Sequence, residues 1–293
     1  MLRAAEGVSH GAITIVNAMA TGRGAALGVG LKTHATVALT NLPGVFVVRN
    51  LSDPRENSQL AKTTVQSVFR RFGVDKRCGA VIETDSNIPI AVGLKSSSAV
   101  SNAIALASLR AIGKNLSDVE VVRLGVEASF RAGVTITGAF DDAAACYFGG
   151  VVITDNVKRR ILKRFRPKGR LRVLVHVPKM KKYTRDVDRD SFISIRSVIQ
   201  AAHRSALRGD YLDSMTLNGL TYSMALGYDA RTTTTAIDSG ALAAGLSGKG
   251  PAVAAIVPER KKDEVRAAWS RFNGRVIETT FNFRKATSWE SPS

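Results

Sequence analysis

Hydrophobic positions shift their period several times along this chain, and each shift marks a predicted element. Over 58–72, Leu60, Val65, Val68, Phe69 and Phe72 fall on one side of a helix. After Ser98, Val100, Ala103, Ile104 and Ala107 recur three and four residues apart, which predicts a second helix opening at the serines. A third is expected over 117–132, entered at Ser117 with Glu120 three positions on, the pairing of a capping box. Apolar and β-branched runs predict strands at 12–16, 34–39, 45–48, 80–84 and 88–92, with a turn at 41–44. Further on, 171–177 alternates as a strand, 190–208, 211–226 and 230–244 read as helices, and 252–257 reads as a strand. A helix near 262–272, a strand at 275–280 and a frayed tail over 286–293 complete the pattern. The class is therefore α+β, with mixed sheets and packed helices rather than a strict βαβ array. Charge density jumps within 156–169, where Pro167 and Gly169 interrupt the pattern, and a boundary there gives units of 1–160 and 161–293.

With 45% hydrophobic and 23% charged side chains over 293 residues, the chain has the make-up of a globular protein, not a disordered one. No apolar run reaches the roughly 18 residues of a membrane span, and the N-terminus lacks the basic start and apolar core of a secretory signal. Cys78 and Cys146 are too few for a disulfide framework and neither has a CxxC partner, so free thiols in a reducing cytoplasm are expected. His10, His34, His176 and His203 are scattered and read as structural. The formal charge of +18 is concentrated, with nine Lys and Arg and no acid between Lys158 and Arg172. Phe165 is the only aromatic inside that run, which disfavours a base-stacking nucleic-acid surface. A solvated basic face is the first reading, with substrate steering and polyanion binding as alternatives. The alternating charges also fit an exposed edge strand.

Chemistry concentrates in three places. Ile88 to Ala99 runs from an apolar stretch through Gly93 into Ser96, Ser97 and Ser98, where a helix opens. A helix N-terminus presents unpaired N–H groups and partial positive charge, so this turn suits a phosphate; a plain serine N-cap needs only one hydroxyl. Neither GxxxxGK[ST] nor a GxGxxG after a strand occurs, which removes two common nucleotide fingerprints. Asp141 and Asp142 stand side by side before the small residues Ala143 to Ala145, downstream of Glu127 in the 117–132 helix. Acids in so apolar a setting need partners such as a Mg²⁺–phosphate complex or a substrate hydroxyl, although one aspartate also serves as an N-cap for a helix beginning near Ala143. Gly245 to Ala252 is a glycine-rich connection, read on its own as a helix C-cap and turn. The small residues of 17–30 also suit a close approach of backbone to ligand.

The order Pro89-x-x-x-Gly93-Leu94-x-Ser96-Ser97-x-Ala99 resembles the second motif of the GHMP kinase superfamily, whose loop wraps the ATP phosphates. Lys95 stands where that motif usually has glycine, which would put an ammonium beside the phosphates. Gly248 and Gly250 lie in a segment resembling the third motif, with Lys249 where Thr or Ser is more usual. The segments 10–28, 93–102, 137–143 and 217–219 together look like archaeal-type shikimate kinases, and the Lys95-Ser96-Ser97-Ser98 form of the loop is characteristic of that branch. The resemblance implies the two-domain GHMP fold, ATP and Mg²⁺ as cofactors, and transfer of the γ-phosphoryl group to the 3-hydroxyl of shikimate. It implies that Pro89, Gly93 to Ala99, Gly248 and Gly250 shape the nucleotide site, and that Ser97 and Glu127 hold Mg²⁺. Asp141 falls in the catalytic slot with Asp142 beside it; the flanking residues differ from the mevalonate-type pattern, so either one fits as the base. Asn17, Thr21 and Arg23 are the candidates for the shikimate pocket. Homoserine- or mevalonate-type kinases are the alternative within the superfamily, and an anion- or nucleic-acid-binding protein on the same scaffold is the alternative outside enzymes.

Overall fold

Two long antiparallel strands form the spine: β1 (Ala4–Val16) and β2 (Arg23–Thr40), paired along most of their length with a register shift at His10/Gly11. The computed structural model describes residues 3–135, 138–179 and 192–291. From Gly11 to Val16 and from Gly24 to Val29 both strands are buried on both faces. The small residues of 17–30 serve mainly this purpose. Most of that stretch is strand, not a ligand loop, because Ala25, Ala26 and Gly28 let helices pack closely on the sheet.

The spine extends into a sheet that also contains β3 (Phe46–Asn50), β4 (Gly79–Ser86), β5 (Val151–Asp155), β6 (Arg160–Phe165) and β11 (Thr287–Glu290). The second half of β2 pairs with β4, and its first half pairs with β5. On one face pack α1 (Gln59–Arg71), α2 (Ser96–Ala111) and α4 (Phe140–Phe148), with α3 (Asp118–Arg131) lying against these helices. On the other, α5 (Arg196–Arg208) and α6 (Tyr211–Ala225) lie against β1. The capping box at Ser117 and Glu120 forms as the spacing predicts.

After Phe165 the chain passes to a second, four-stranded antiparallel sheet of order β10-β7-β9-β8, with β7 (Leu171–Val177), β8 (Ala243–Leu246), β9 (Val253–Pro258) and β10 (Arg275–Thr280). Here α7 (Arg231–Asp238) and α8 (Lys262–Trp269) cover a core centred on the fully buried Trp269, whose indole N–H donates to the Thr232 carbonyl at 2.8 Å. Among the described residues no helix is long and apolar enough to cross a membrane.

Several expected elements differ. The helix expected over 230–244 stops at Asp238, because Gly240 turns the chain and Ala243 to Leu246 become β8. Residues 88–92 form turns, not a strand, although Ile88 and Val92 are buried as their hydrophobicity requires. The expected frayed tail contains β11, which covers the free edge of β1. Residues 190–191 of the expected 190–208 helix lie outside the described residues. The basic run supplies β6, whose only strand partner among the described residues is β5. Arg164 lies over the Phe148 ring at 4.1 Å from its centroid, Lys163 donates to the Leu207 carbonyl, and Arg172 pairs with Glu259.

Candidate active site

The connection from β4 to α2 is built for close packing. Gly93 has φ +96°, and a Cβ there would stand 1.9 Å from the Ser247 carbonyl oxygen, so only glycine fits. Lys95 follows as the N-cap of α2 in the left-handed region, at φ +66°. Ser96, Ser97 and Ser98 then occupy the first turn of this 16-residue helix, where the backbone N–H groups lack intrahelical acceptors. Ser97 is the exposed member of the three. Leu94 and Ala99 are core residues that anchor the turn from below.

The glycine-rich turn after β8 is stitched to this loop. Ser247 Oγ donates to the Gly93 carbonyl at 2.8 Å, and the Ala252 N–H donates to the Val92 carbonyl at 3.1 Å. From β1, Thr14 Oγ1 accepts the Gly248 N–H at 2.8 Å, and Asn17 Nδ2 donates to the Gly248 carbonyl at 2.8 Å. Asn17 also receives Met19 N–H on its Oδ1, so its amide is engaged in holding this turn. Three segments distant in sequence thus form one rigid wall.

Opposite lies the acid pair. Asp141 and Asp142 are in the first turn of α4, whose N-cap is Ala139, so neither aspartate is the cap. Asp141 is 3% exposed. Its N–H donates to Asn156 Oδ1 at 3.1 Å, and its Oδ1 accepts Asn156 Nδ2 at 2.7 Å. Asp142 forms an ion pair with Lys95, Oδ1 to Nζ 3.1 Å, and the same ammonium donates to Thr14 Oγ1 at 2.6 Å. Burial, reinforced by the Asp142 charge, pushes the Asp141 carboxyl up to about 7, against the pull of the Asn156 amide, the Lys95 ammonium and the Asp142 N–H. A buried acid poised near neutrality is suited to taking up a proton.

The serine turn, the stitched glycine turn and the acid pair open onto one cavity of about 450 Å³. Of the residues singled out from sequence, Asn17, Gly93, Lys95, Ser96, Ser97, Ser98, Asp141, Asp142, Gly248 and Gly250 line it. Others do not. Pro89 borders a separate cleft of about 730 Å³ on the far side of the loop, with Ser52, Val177 and Arg275. Thr21 and Arg23 bond to each other at the start of β2, where Arg23 is exposed, and neither lines the shared cavity. Glu127, the expected metal ligand, does not line the shared cavity; it is exposed and pairs with Arg159 at 3.2 Å. The Lys95 ammonium is turned toward Thr14 and Asp142, which links the phosphate turn to the acid pair.

Sequence reading missed Glu56, Ser129 and Asn156. Glu56 and Ser129 line the cavity, and Asn156 holds Asp141 from behind. A signal for Ser129 was present: Val122, Gly125, Val126 and Ser129 form the buried stripe of α3, whereas Arg123, Glu127 and Phe130 form its exposed stripe. Nothing local marks Asn156, because the Asp141 it holds comes from α4.

Comparison with known proteins gives a consistent pattern. A model of the GHMP kinases N terminal domain matches residues 59–150, and a model of the GHMP kinases C terminal region matches residues 231–275. The shikimate kinase of Methanosarcina mazei is 42% identical over 283 residues, 96% of this chain and 95% of that protein. The shikimate kinase of Pyrococcus furiosus is 40% identical, covering 94% of this chain and 98% of its own. Among solved structures, homoserine kinase from Cytophaga hutchinsonii superposes with a TM-score of 0.77 at 18% identity, covering 99% of this chain and 98% of its own. Mevalonate kinase from L. major, in complex with R-mevalonate, gives a TM-score of 0.74 at 16% identity, covering 96% of each chain. The last two establish a shared fold.

Proposed function

The chain belongs to the archaeal-type shikimate kinases of the GHMP kinase superfamily, and from that membership we propose that it transfers the γ-phosphoryl group of ATP to the 3-hydroxyl of shikimate, giving shikimate 3-phosphate and ADP. The observation that carries this reading is the shared cavity: a buried carboxyl near neutrality, Asp141, faces the same space as the serine turn that opens α2. Phosphoryl transfer depends mainly on positioning and charge neutralisation. The α2 N–H groups and the hydroxyls of Ser96 to Ser98 would receive the nucleotide phosphates. Asp141 would accept the proton of the attacking hydroxyl, and Lys95 balances the neighbouring Asp142 charge. A cytoplasmic enzyme of small molecules, with neither membrane nor nucleic acid as a partner, is the corresponding expectation.

The donor set also fits Mg²⁺. Asp141 is taken up by Asn156 and Asp142 by Lys95, while Ser97 and Glu56 also line the cavity. One or two hard oxygens from the protein would suffice, with nucleotide phosphates and water as the remaining ligands. Ser97 and Glu56 would hold the ion, which supplies charge neutralisation on the β- and γ-phosphates when bound. On the acceptor side, Asn17 and Lys249 line the cavity, and an ammonium suits the carboxylate of shikimate.

A coupled ADP-release assay across shikimate, homoserine and mevalonate tests the acceptor. Turnover with shikimate alone is expected. Activity with homoserine or mevalonate and none with shikimate would leave the kinase reading and overturn the substrate.

A further inference from the structure

We propose that Asn156 is a positioning residue for the phosphoryl transfer, clamping Asp141 by backbone and side chain together so that one chosen carboxylate oxygen meets the acceptor hydroxyl. The inference rests on the reading of Asp141 as the base. Asn156 is 4% exposed and follows β5 directly, so its backbone is set by the sheet. Its amide makes three bonds. Oδ1 accepts both the Asp141 N–H at 3.1 Å and the Thr154 hydroxyl at 2.6 Å, and Nδ2 donates to Asp141 Oδ1 at 2.7 Å.

The orientation of that amide is fixed by its partners. Reversing it would set an NH₂ against the Asp141 N–H and an oxygen against a carboxylate oxygen, losing both bonds and adding repulsion. With Oδ1 held by the amide, Oδ2 is the oxygen left to receive a proton. That atom lies over Gly24, where a Cβ would come within 2.1 Å of it. Asn156 and Gly24 therefore fix the carboxylate from two sides. An aspartate or glutamate at 156 would repel Asp141, and an alanine would let the carboxyl rotate. An amide is the side chain that both donates to the carboxylate and accepts from the backbone of the same residue.

A double-mutant cycle at fixed pH tests this, with ADP release as readout and thermal unfolding as the check on folding. Asn156→Ala should lower kcat by about 10- to 100-fold with KM for ATP and shikimate within about threefold, the signature of lost geometry and not of lost binding. In an Asp141→Asn background the same change should have no further effect on kcat, because Asn156 acts through Asp141. Thr154→Val, which removes the hydroxyl that donates to Asn156 Oδ1 and, at 3.4 Å, to the Gly24 carbonyl, should give a smaller loss in the same direction and covers the case in which Asn156→Ala does not fold. Multiplying losses in the cycle, or unchanged kcat in both Asn156→Ala and Thr154→Val beside an inactive Asp141→Asn, overturns the inference alone. Near-normal kcat in Asp141→Asn overturns the base reading and this inference with it.

Discussion

Asp141 rests on Gly24: a Cβ built at Gly24 would lie 2.1 Å from Asp141 Oδ2 and 2.6 Å from its Cγ. The contact joins the first residues of β2 to the first turn of α4, two segments whose relation is invisible along the chain. It also makes the small residue at 24 a condition for the acid at 141. Gly24→Ala should displace the carboxylate, lowering kcat by about 10- to 100-fold through misplacement of the reacting group. Overpacking should cost about 1–3 kcal/mol in stability. Steady-state kinetics and denaturant unfolding on the same preparation check both; a stable variant with normal kcat would place the working carboxylate elsewhere.

The raised Asp141 carboxyl gives a pH dependence of stability with a definite sign. Its folded value near 7 stands above the ordinary 3.8, so between about pH 4 and 7 the folded protein holds a proton that the unfolded chain has released. This contribution is fully present below about 4 and is lost as pH rises through 7, on the order of a few kcal/mol. Asp141→Asn removes the titration. The stability of the variant relative to the parent should therefore increase from pH 4.5 to pH 8, measured by urea unfolding at each pH. Taking the difference cancels the oppositely directed carboxylates held low by their partners, such as Asp229 beside Arg231 and Glu259 beside Arg172. A difference that stays flat across this range would mean an ordinary carboxyl at 141.

How far the sequence reached depended on whether a feature was local. The helices α1 and α3 carry their own periodicity, α3 also its capping box, and the serine turn carries its own chemistry, so all were legible. Residues 88–92 looked like a strand because Ile88 and Val92 are apolar, but their burial comes from packing between two sheets, without a strand partner. The small residues of β2 suggested a ligand loop, whereas their smallness serves helix packing on both faces of the sheet. Asp141 was legible and Asn156 was not, since the bond between them closes only when β5 and α4 meet. Glu127 was assigned by its match to the family motif, while the helical phase puts it on the exposed stripe of α3.

The exposed position of Glu127 leaves two metal assignments to separate. Glu127→Gln should leave the Mg²⁺ dependence of turnover within about twofold and stability within about 0.5 kcal/mol, as for a half-exposed ion pair. Glu56→Gln should raise the Mg²⁺ concentration for half-maximal turnover by about fivefold or more if its carboxylate helps hold the ion. Magnesium titrations at saturating ATP and shikimate decide between them. A shift with Glu127→Gln and none with Glu56→Gln would restore the motif-based assignment.

Lys95 offers the most direct comparison with the glycine usual at this point of the motif. Its ammonium, 5% exposed, bridges Thr14 on β1 and Asp142 on α4. Its backbone sits at φ +66°, which costs a non-glycine residue roughly 1 kcal/mol. Lys95→Gly relieves that strain but removes the charge opposite Asp142. Losing one partner of a buried pair costs about 3–5 kcal/mol, less here because Asp142 is 19% exposed, so net destabilisation is expected. Adding Asp142→Asn to Lys95→Gly removes the stranded charge and should recover much of the stability, measured by thermal unfolding. Turnover should respond differently. Lys95 also draws the Asp141 carboxyl downward, so its loss should move the acidic limb of the kcat profile to higher pH, whereas removing the Asp142 charge should bring it back. A double variant that recovers both stability and the pH profile but stays slow would show that the ammonium acts on the transferred group as well as on the acid pair. Full recovery of kcat would confine Lys95 to holding Asp142. A Lys95→Gly enzyme as stable and as fast as the parent would mean that the bridge between the phosphate turn and the acid pair carries neither role.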